Sequence, residues 1–259
     1  MQSQNFGGFG GFDRFQRPMN WSAMGKMADI SPQVQQHLLK VYSTLCTGIL
    51  AAALGSFVHH KFHVAGIMTQ LALFAAVIGL NFIHDTANRL AVFCATGLLM
   101  GINLGPLMEQ VAYIAPEIIV TALLATGLIF ACFSAAAVLA KRRSMLFIGG
   151  ICGSFMSMMV GMRFLSFIMG GALSSGLFEI NLYGGLAMFM GYIVFDTQMI
   201  IEEASQPAHL QRKDFVSHAL ELLIDFVAVF VRLVIILMRH ADKSKRPQNN
   251  NRRDDRRDR

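Results

Sequence analysis

Two aspartates inside apolar stretches are the residues of this sequence whose chemistry stands out. Asp196 lies within NLYGGLAMFMGYIVFDTQMII, and Asp225 lies within FVSHALELLIDFVAVFVRLVIILM. Asp196 precedes Glu202 by six residues and Asp225 follows Ala219 by six residues, which is about 9 Å along a helix in each case. Two carboxyls at one depth on consecutive helices can meet. In a dry site they would share a proton and titrate as a unit.

Such a pair suits three functions: sensing pH, gating a constriction by protonation, and binding calcium, which prefers hard oxygen ligands. The residues leave these three functions open, with Asp196 and Asp225 as candidates for an ion pathway, a pH sensor and transient ligands of calcium. Tyr192 shares a helix face with Asp196 and is a supporting polar residue. The competing interpretation is that each carboxyl only hydrogen-bonds a neighbouring helix. Ionisable groups inside a membrane favour function, and two at matched depth favour it further.

The last apolar segment carries a stripe of polar side chains. His218, Glu221, Asp225 and Arg232 fall within about 60° of one another at 100° per residue. A charge that faces lipid costs at least ~2.5 kcal/mol, so the stripe faces the bundle interior and the helix is central. His218 and Glu221 lie nearer the cytosolic boundary, where we expect a solvated face. Arg232 can pair with an acid or extend to an interface.

Other reactive residues give weaker signals. His59, His60 and His63 occur in HHKFH, where only the first and last have the i, i+4 spacing of helical metal ligands, so we interpret the cluster as a polar loop. The four cysteines fall in separate apolar segments without a CxxC pair, which favours small buried side chains. The sequence contains no Walker loop, GxSxG or HExxH motif, and we expect neither an enzyme nor a resident cofactor.

The elements that must position these residues are membrane helices. The chain has 259 residues, of which 54% are hydrophobic and 15% are charged, against about 25% charged residues in an ordinary soluble domain. Seven apolar segments have lengths close to the ~20 residues that cross a bilayer. They are Val41–Val58, Val64–Ile83, Leu90–Met108, Ile118–Ala140, Met145–Met169, Ile180–Ile201 and Phe215–Met238.

The predicted fold class is all-α, a polytopic membrane helical bundle of six spans plus a central seventh hydrophobic helix. We divide the chain into a flexible cytosolic tail over residues 1–36, the bundle over 37–240 and a disordered charged tail over 241–259. Gly97, Gly101 and Gly105 lie on one face of the third span and predict close helix packing within the chain. Pro106 is expected to kink or end that helix.

The basic residues predict the orientation. With the N-terminus in the cytosol, ten lysines and arginines of the N-terminal tail and connections lie on the cytosolic side, and only Lys61 lies opposite. The segment Phe215–Met238 is long enough to cross, yet the basic tail that follows favours the cytosol. We expect a cytosolic C-terminus, with a re-entrant or half-buried seventh segment. The two tails and the apolar surface predict the lipid bilayer as a partner and no nucleic acid.

Four segments resemble the Bax inhibitor-1 (transmembrane Bax inhibitor motif) family over roughly residues 30–242. They are LYGGLAMFMGYIVFDTQMIIEE at Leu182–Glu203, HALELLIDFVAVFVRLVII at His218–Ile236, KRRSMLFIGG at Lys141–Gly150 and GINLGP at Gly101–Pro106. The FDTQ motif and the downstream DF are the most specific of these.

The resemblance implies a bundle of six or seven helices with the last helix at its centre, in the endoplasmic reticulum membrane. It also implies suppression of cell death, a calcium leak from the lumen and a pH-sensitive aspartate pair, which maps onto Asp196 and Asp225. Anti-apoptotic Bcl-family proteins and other endoplasmic reticulum membrane proteins are the implied partners. Some relatives add an arginine on span two; here the nearest is Arg89, at the start of span three.

Three functions compete at this point. The first is a pH-sensitive calcium leak that lowers luminal calcium, and the second is a non-conducting membrane adaptor that suppresses apoptosis by binding other membrane proteins. The third is a proton-coupled transporter, since buried acids also relay protons. The inverted repeats common in transporters are not evident in the sequence. The family resemblance favours the first.

The charge bias predicts the accessibility of the basic loop at Lys141–Arg143. On sealed microsomes, a protease added outside should cut this loop, because it lies in the cytosol. A tag after residue 259 should be digested with it if the tail is cytosolic. Protection of the loop in sealed vesicles, with cleavage only after detergent, would reverse the predicted topology.

Overall fold

A computed structural model of the chain describes residues 31–83, 85–139, 146–168, 178–206 and 214–254. Within these residues the fold is all-α. The helices are α1 (Pro32–Phe62), α2 (Ile67–Gly79), α3 (Thr86–Ile114), α4 (Glu117–Leu139), α5 (Leu146–Ile168), α6 (Gly185–Ala204) and α7 (Phe215–Asp254). A π-helical turn, Ile180–Gly184, leads directly into α6. Most of the N-terminal tail, the loop at Lys141–Arg143 and the end of the C-terminal tail lie outside the described residues.

Length and apolar composition qualify four of the described helices to cross a membrane. They are α1, α3, α4 and the continuous helix Ile180–Ala204, whereas Ile67–Gly79 and Phe147–Met162 are shorter apolar helices. The 13 residues of α2 rise about 20 Å, less than the ~30 Å of hydrocarbon. The described residues therefore form an all-α bundle with four candidate membrane spans, and the count of six spans plus one stays a prediction.

The last helix lies at the centre of the bundle. It packs against α1, α3, α4 and α6. Its residues Val216, Leu222, Leu223 and Val229 are fully buried in the main apolar core. The other two helices are placed differently, since α2 packs mainly on α3 and α5 mainly on α6. Four helices rather than six therefore supply the main contacts of α7.

The glycines of α3 form its contact with α1. A Cβ atom on Gly101 would overlap the carbonyl oxygen of Ala52, and one on Gly105 would overlap the ring of His59. The two backbones approach this closely because the interface lacks side chains, as small residues permit between membrane helices. The predicted packing within the chain is confirmed.

Pro106 does not end α3, which continues to Ile114. The predicted end at Met108 was therefore wrong. A proline inside a helix removes one hydrogen bond. Burial of the last turns offsets that loss: Val111 is fully buried in a cluster with Ile118 and with Val234 of α7.

Both boundaries of the predicted bundle also differ from the structure. The first helix begins at Pro32 rather than at residue 37, with a proline at the favoured first position. Val34 is buried and packs with Ile201 and Ala204 of α6, which explains the earlier start. At the other end, α7 continues as helix to Asp254, where a disordered tail was predicted. An established helix extends at little cost per residue, because each residue adds one hydrogen bond.

The α1–α3 contact predicts a specific loss of stability. Gly101→Ala should lower the free energy of unfolding by roughly 1–3 kcal/mol, because the methyl group meets backbone that cannot rotate away. Thermal unfolding of the full chain in detergent measures the change. Gly127→Ala in α4 is the matched control, since a Cβ there meets nothing within 4 Å. Equal melting temperatures for both variants would contradict the proposed backbone contact.

Candidate functional site

The structure brings Asp196 of α6 and Asp225 of α7 together. A side-chain hydrogen bond joins the two residues. Because ionised carboxylates only accept hydrogen bonds, this bond requires a proton on one of the two groups. Asp225 is only 4% exposed, and its Oδ2 atom has no hydrogen-bond partner among the described residues. The arrangement corresponds to a carboxyl pair that shares a proton in a dry site.

The FDTQ motif ties α6 to three different helices. Phe195 lies against Gly149 of α5, where a Cβ atom would overlap its ring. Asp196 bonds with Asp225 of α7, and the amide nitrogen of Gln198 donates to the carbonyl oxygen of Ala137 in α4. The residues of the motif therefore point to different sides of one helical turn, and each side packs against a different helix.

Tyr192 and Cys152 lie beside the aspartates. Both interact electrostatically with Asp196 and Asp225. The Cys152 thiol donates to the carbonyl oxygen of Met188 over 3.7 Å, and its sulfur lies against the backbone of α6. Cys152 is buried, as the sequence predicted for the cysteines, whereas Cys46 and Cys132 are exposed, so the prediction was wrong for those two. The place of Cys152 next to the aspartates was missed. Spacing along one helix carries no signal for a contact between helices.

Arg232 lies on the same helix as Asp225, seven residues or about 10 Å further along. Its guanidinium carbon lies 4.5 Å from the centre of the Phe189 ring, a cation–π contact. Its Nη1 donates to the carbonyl oxygen of Ala228 over 2.9 Å, and its Nε lies where a Cβ on Gly185 would stand. The small residue at 185 thus leaves room for the guanidinium between α6 and α7.

His218 is buried rather than solvated. It is 1% exposed, so the predicted solvated face was wrong for this residue. Its Nε2 lies 3.8 Å from Glu203 Oε2, its Nδ1 lies 3.6 Å from Glu221 Oε2, and the His37 ring stands 5.5 Å away at a right angle. Glu221 is one-third exposed. The sequence missed Glu203 and His37 because they lie on other helices, Glu203 near the end of α6 and His37 in the second turn of α1.

A second missed contact holds the start of α7. Arg89 Nε lies 2.8 Å from Asp214 Oδ2, and its Nη2 donates to Asp214 Oδ1 over 2.9 Å and to Ser217 Oγ over 2.6 Å. The other Nη donates to the carbonyl oxygens of Leu80 and Ile83. Asp214 also accepts from the Ser217 backbone N–H over 3.0 Å, which caps the helix. Arg89 thus fixes where α7 begins.

A cavity of about 250 Å³ lies between α1, α3, α4 and α7. Phe226, the residue after Asp225, forms part of its wall, and the wall is apolar except for Ser56 and backbone atoms. Its lining residues are Ile49, Ala52, Ala53, Ser56, Leu104, Met108, Ile119, Leu123, Phe226, Val227 and Phe230. The cavity therefore lies on the side of the bundle where α1 and α3 end, with a wall residue one position after Asp225 on α7.

Comparisons with known proteins agree on one family. A family model described as "Inhibitor of apoptosis-promoting Bax1" matches residues 34–242, which include both aspartates. Bax inhibitor 1 of Arabidopsis thaliana is 40% identical over 230 residues, 88% of this chain and 91% of the relative. Bax inhibitor 1 of Rattus norvegicus is 39% identical over 238 residues, covering 89% of this chain and 98% of the relative. The Homo sapiens protein of that name is 37% identical with the same coverage.

These matches extend over nearly all of the described bundle, from the first turn of α1 to the charged part of α7. The FDTQ and DF motifs of the aspartate site lie inside them. This chain belongs to the Bax inhibitor-1 family.

Proposed function

We propose that this protein is an endoplasmic reticulum membrane regulator of cell death that acts as a pH-sensitive calcium leak and lowers luminal calcium. The observation that carries the proposal is the hydrogen-bonded pair Asp196–Asp225 on the central helix contact. The names of the relatives, each called Bax inhibitor 1, support the role in cell death.

The mechanism depends on the proton that the pair shares. While the proton is present, the bond between Asp196 and Asp225 holds α6 against α7 and closes the path. When the pair loses the proton, the two carboxylates repel each other across a poorly screened interior. The separated groups present four hard oxygens, the ligand type that calcium prefers, so calcium binds in passing.

The cavity beside Phe226 supplies the rest of the path. Apolar constrictions oppose ion passage when dry and permit it when wet. Separation of α6 and α7 at Asp225 would open this cavity to the carboxylates and admit water. The apolar wall then keeps the resting leak small, and the aspartates control its opening.

The proposed orientation has the N-terminus in the cytosol, as the distribution of basic residues favours. A cytosolic C-terminus would satisfy the same bias. The His218 cluster, with Glu203, Glu221 and His37, then lies at the cytosolic end of the bundle. The cavity and the ends of α1 and α3 lie on the luminal side.

The second candidate is a non-conducting adaptor that binds anti-apoptotic Bcl-family or other membrane proteins. The exposed face of α2 favours it, because α2 has no buried residue and packs mainly on one neighbour. Ile67, Met68 and Phe74 are all more than half exposed. Lipid or another membrane helix can cover this face, so the two functions are compatible.

Calcium flux in liposomes tests the leak. Flux through the purified wild-type protein should rise with pH, by at most about tenfold per unit for a one-proton transition. Asp225→Asn and Asp196→Asn should each change the flux and remove most of its pH response, because neither amide can share the proton or ionise. Thermal unfolding of each variant shows whether the bundle still folds.

Asp85→Asn is the matched control, since Asp85 is an exposed residue before α3 and should leave flux unchanged. Unchanged flux and pH profile in both site variants would reject the leak. Protection from cell death should be measured with the same variants. Full protection without flux would assign that effect to the adaptor role.

A further inference from the structure

Three imidazoles surround one carboxylate at the end of the bundle where α1 and α3 both end. The distances to Glu109 Oε1 are 3.3 Å from His63 Nδ1, 3.7 Å from His60 Nδ1 and 3.8 Å from His59 Nε2. One ligand atom from each of His59, His63 and Glu109 lies within 4.8 Å of the others. The sequence pattern alone favours a polar loop here, because Glu109 lies 46 residues from His63, the nearest of these three histidines.

The backbone holds these groups in place. His63 caps α1 with a left-handed conformation at φ 49°, which turns its side chain back towards α3. The Ala65 N–H donates to His59 Nδ1 over 2.9 Å, and the His59 ring occupies the space left by Gly105. His59 is therefore fixed, and it is buried, whereas His60 and His63 are exposed enough to adjust.

The central oxygen lacks a partner of its own. Glu109 Oε1 is buried and makes no hydrogen bond within the described part of the chain. The nitrogens stand at 3.3 to 3.8 Å, beyond ordinary N–H···O distances. Around a tetrahedral ion with ligands at 2.0–2.2 Å, however, neighbouring ligand atoms are about 3.3–3.6 Å apart. The distances from Glu109 Oε1 to the imidazole nitrogens are therefore close to those between neighbouring ligands of such an ion.

The tautomer of His59 decides which of the three histidines can bind an ion. Because its Nδ1 accepts a hydrogen bond, a neutral His59 carries its proton on Nε2, which points at Glu109. His59 is thus a positioning residue: its fixed N–H faces the carboxylate from 3.8 Å, close enough to hydrogen-bond it when Glu109 turns towards a bound ion. We propose that His63 Nδ1, a Glu109 carboxylate oxygen and His60 Nδ1, which joins them by rotation of its exposed side chain, bind a divalent transition-metal ion of the zinc class, with water in the fourth position.

The donor set selects the class of ion. Imidazole nitrogens suit zinc, cobalt and nickel, whereas calcium and magnesium take oxygen ligands. The site is therefore separate from the aspartates in both place and chemistry. A bound ion would join the last turn of α1 to α3 and strengthen a contact that otherwise depends on small residues.

Cobalt and zinc binding to the full chain in detergent tests the site. Wild-type protein should take up one equivalent of Co²⁺ with the visible absorption of a four-coordinate ion and without a thiolate charge-transfer band, which excludes the cysteines. Zinc should displace cobalt and raise the melting temperature, and excess Ca²⁺ or Mg²⁺ should do neither.

The variants separate ligands from the positioning residue. His63→Asn tolerates the left-handed conformation. His63→Asn, His60→Asn and Glu109→Gln should each weaken zinc binding more than tenfold. His59→Asn should weaken it about tenfold or more as an orienting group, while the cobalt spectrum keeps its form. His240→Asn, at an exposed histidine on α7, is the control for surface imidazoles and should bind like wild type.

Thermal unfolding without metal establishes whether each variant is folded. If one ligand variant fails to fold, the other two still test the site independently. Wild-type affinity in all folded ligand variants, or a thiolate band in the cobalt spectrum, would overturn the proposal.

Discussion

Polar side chains on α7 cannot face hydrocarbon, and this constraint organises the bundle. His218, Asp225 and Arg232 each find a neighbour on another helix: Glu203 and His37 for the first, Asp196 for the second and the Phe189 ring for the third. A charge or carboxyl left towards lipid would cost several kcal/mol. The helix that carries them therefore lies inside, and α1, α3, α4 and α6 pack around it.

Two features allow the helices to pack closely around α7. The glycines of α3 allow α1 to approach at backbone distance, so the two helices form one unit behind α7. Arg89 fixes the first turn of α7 through Asp214 and Ser217, which sets the height of every residue that follows. A shift of α7 by one residue would move Asp225 about 1.5 Å along the axis and turn it by about 100°. The meeting of the aspartates depends on this anchor.

The titratable groups then fall at three levels. The His218 cluster lies at the end where α7 starts, the aspartates lie further along the helix, and the histidines around Glu109 lie at the far end of α1. The middle level has two carboxyls bonded across the α6–α7 contact. The proposed calcium leak therefore belongs to Asp196 and Asp225. The proposed zinc-class site belongs to the histidines around Glu109, at the far end of α1.

The sequence by itself determined the all-α membrane class, the approximate positions of the helices and the stripe on α7. The start of α1 and the end of α7 were exceptions, because they lie nine and sixteen residues beyond the predicted Val41 and Met238. The sequence also indicated that Asp196 and Asp225 could lie at one depth. These features follow from apolar length and from the 3.6-residue period, both of which are local properties of the chain. The glycine face of α3 belongs with them, because small residues in a membrane helix predict close packing.

Only the tertiary structure decided which residues meet across helices. The burial of His218 depends on the first turns of α1. The hydrogen bond of Arg89 depends on Asp214, which lies 125 positions away in the sequence. The continuation of α3 through Pro106 depends on burial of Val111 against α4 and α7. Glu109 joins the histidines because α1 and α3 end side by side. Such contacts are set by the packing of surfaces remote in sequence, and a one-dimensional pattern contains no distance between them.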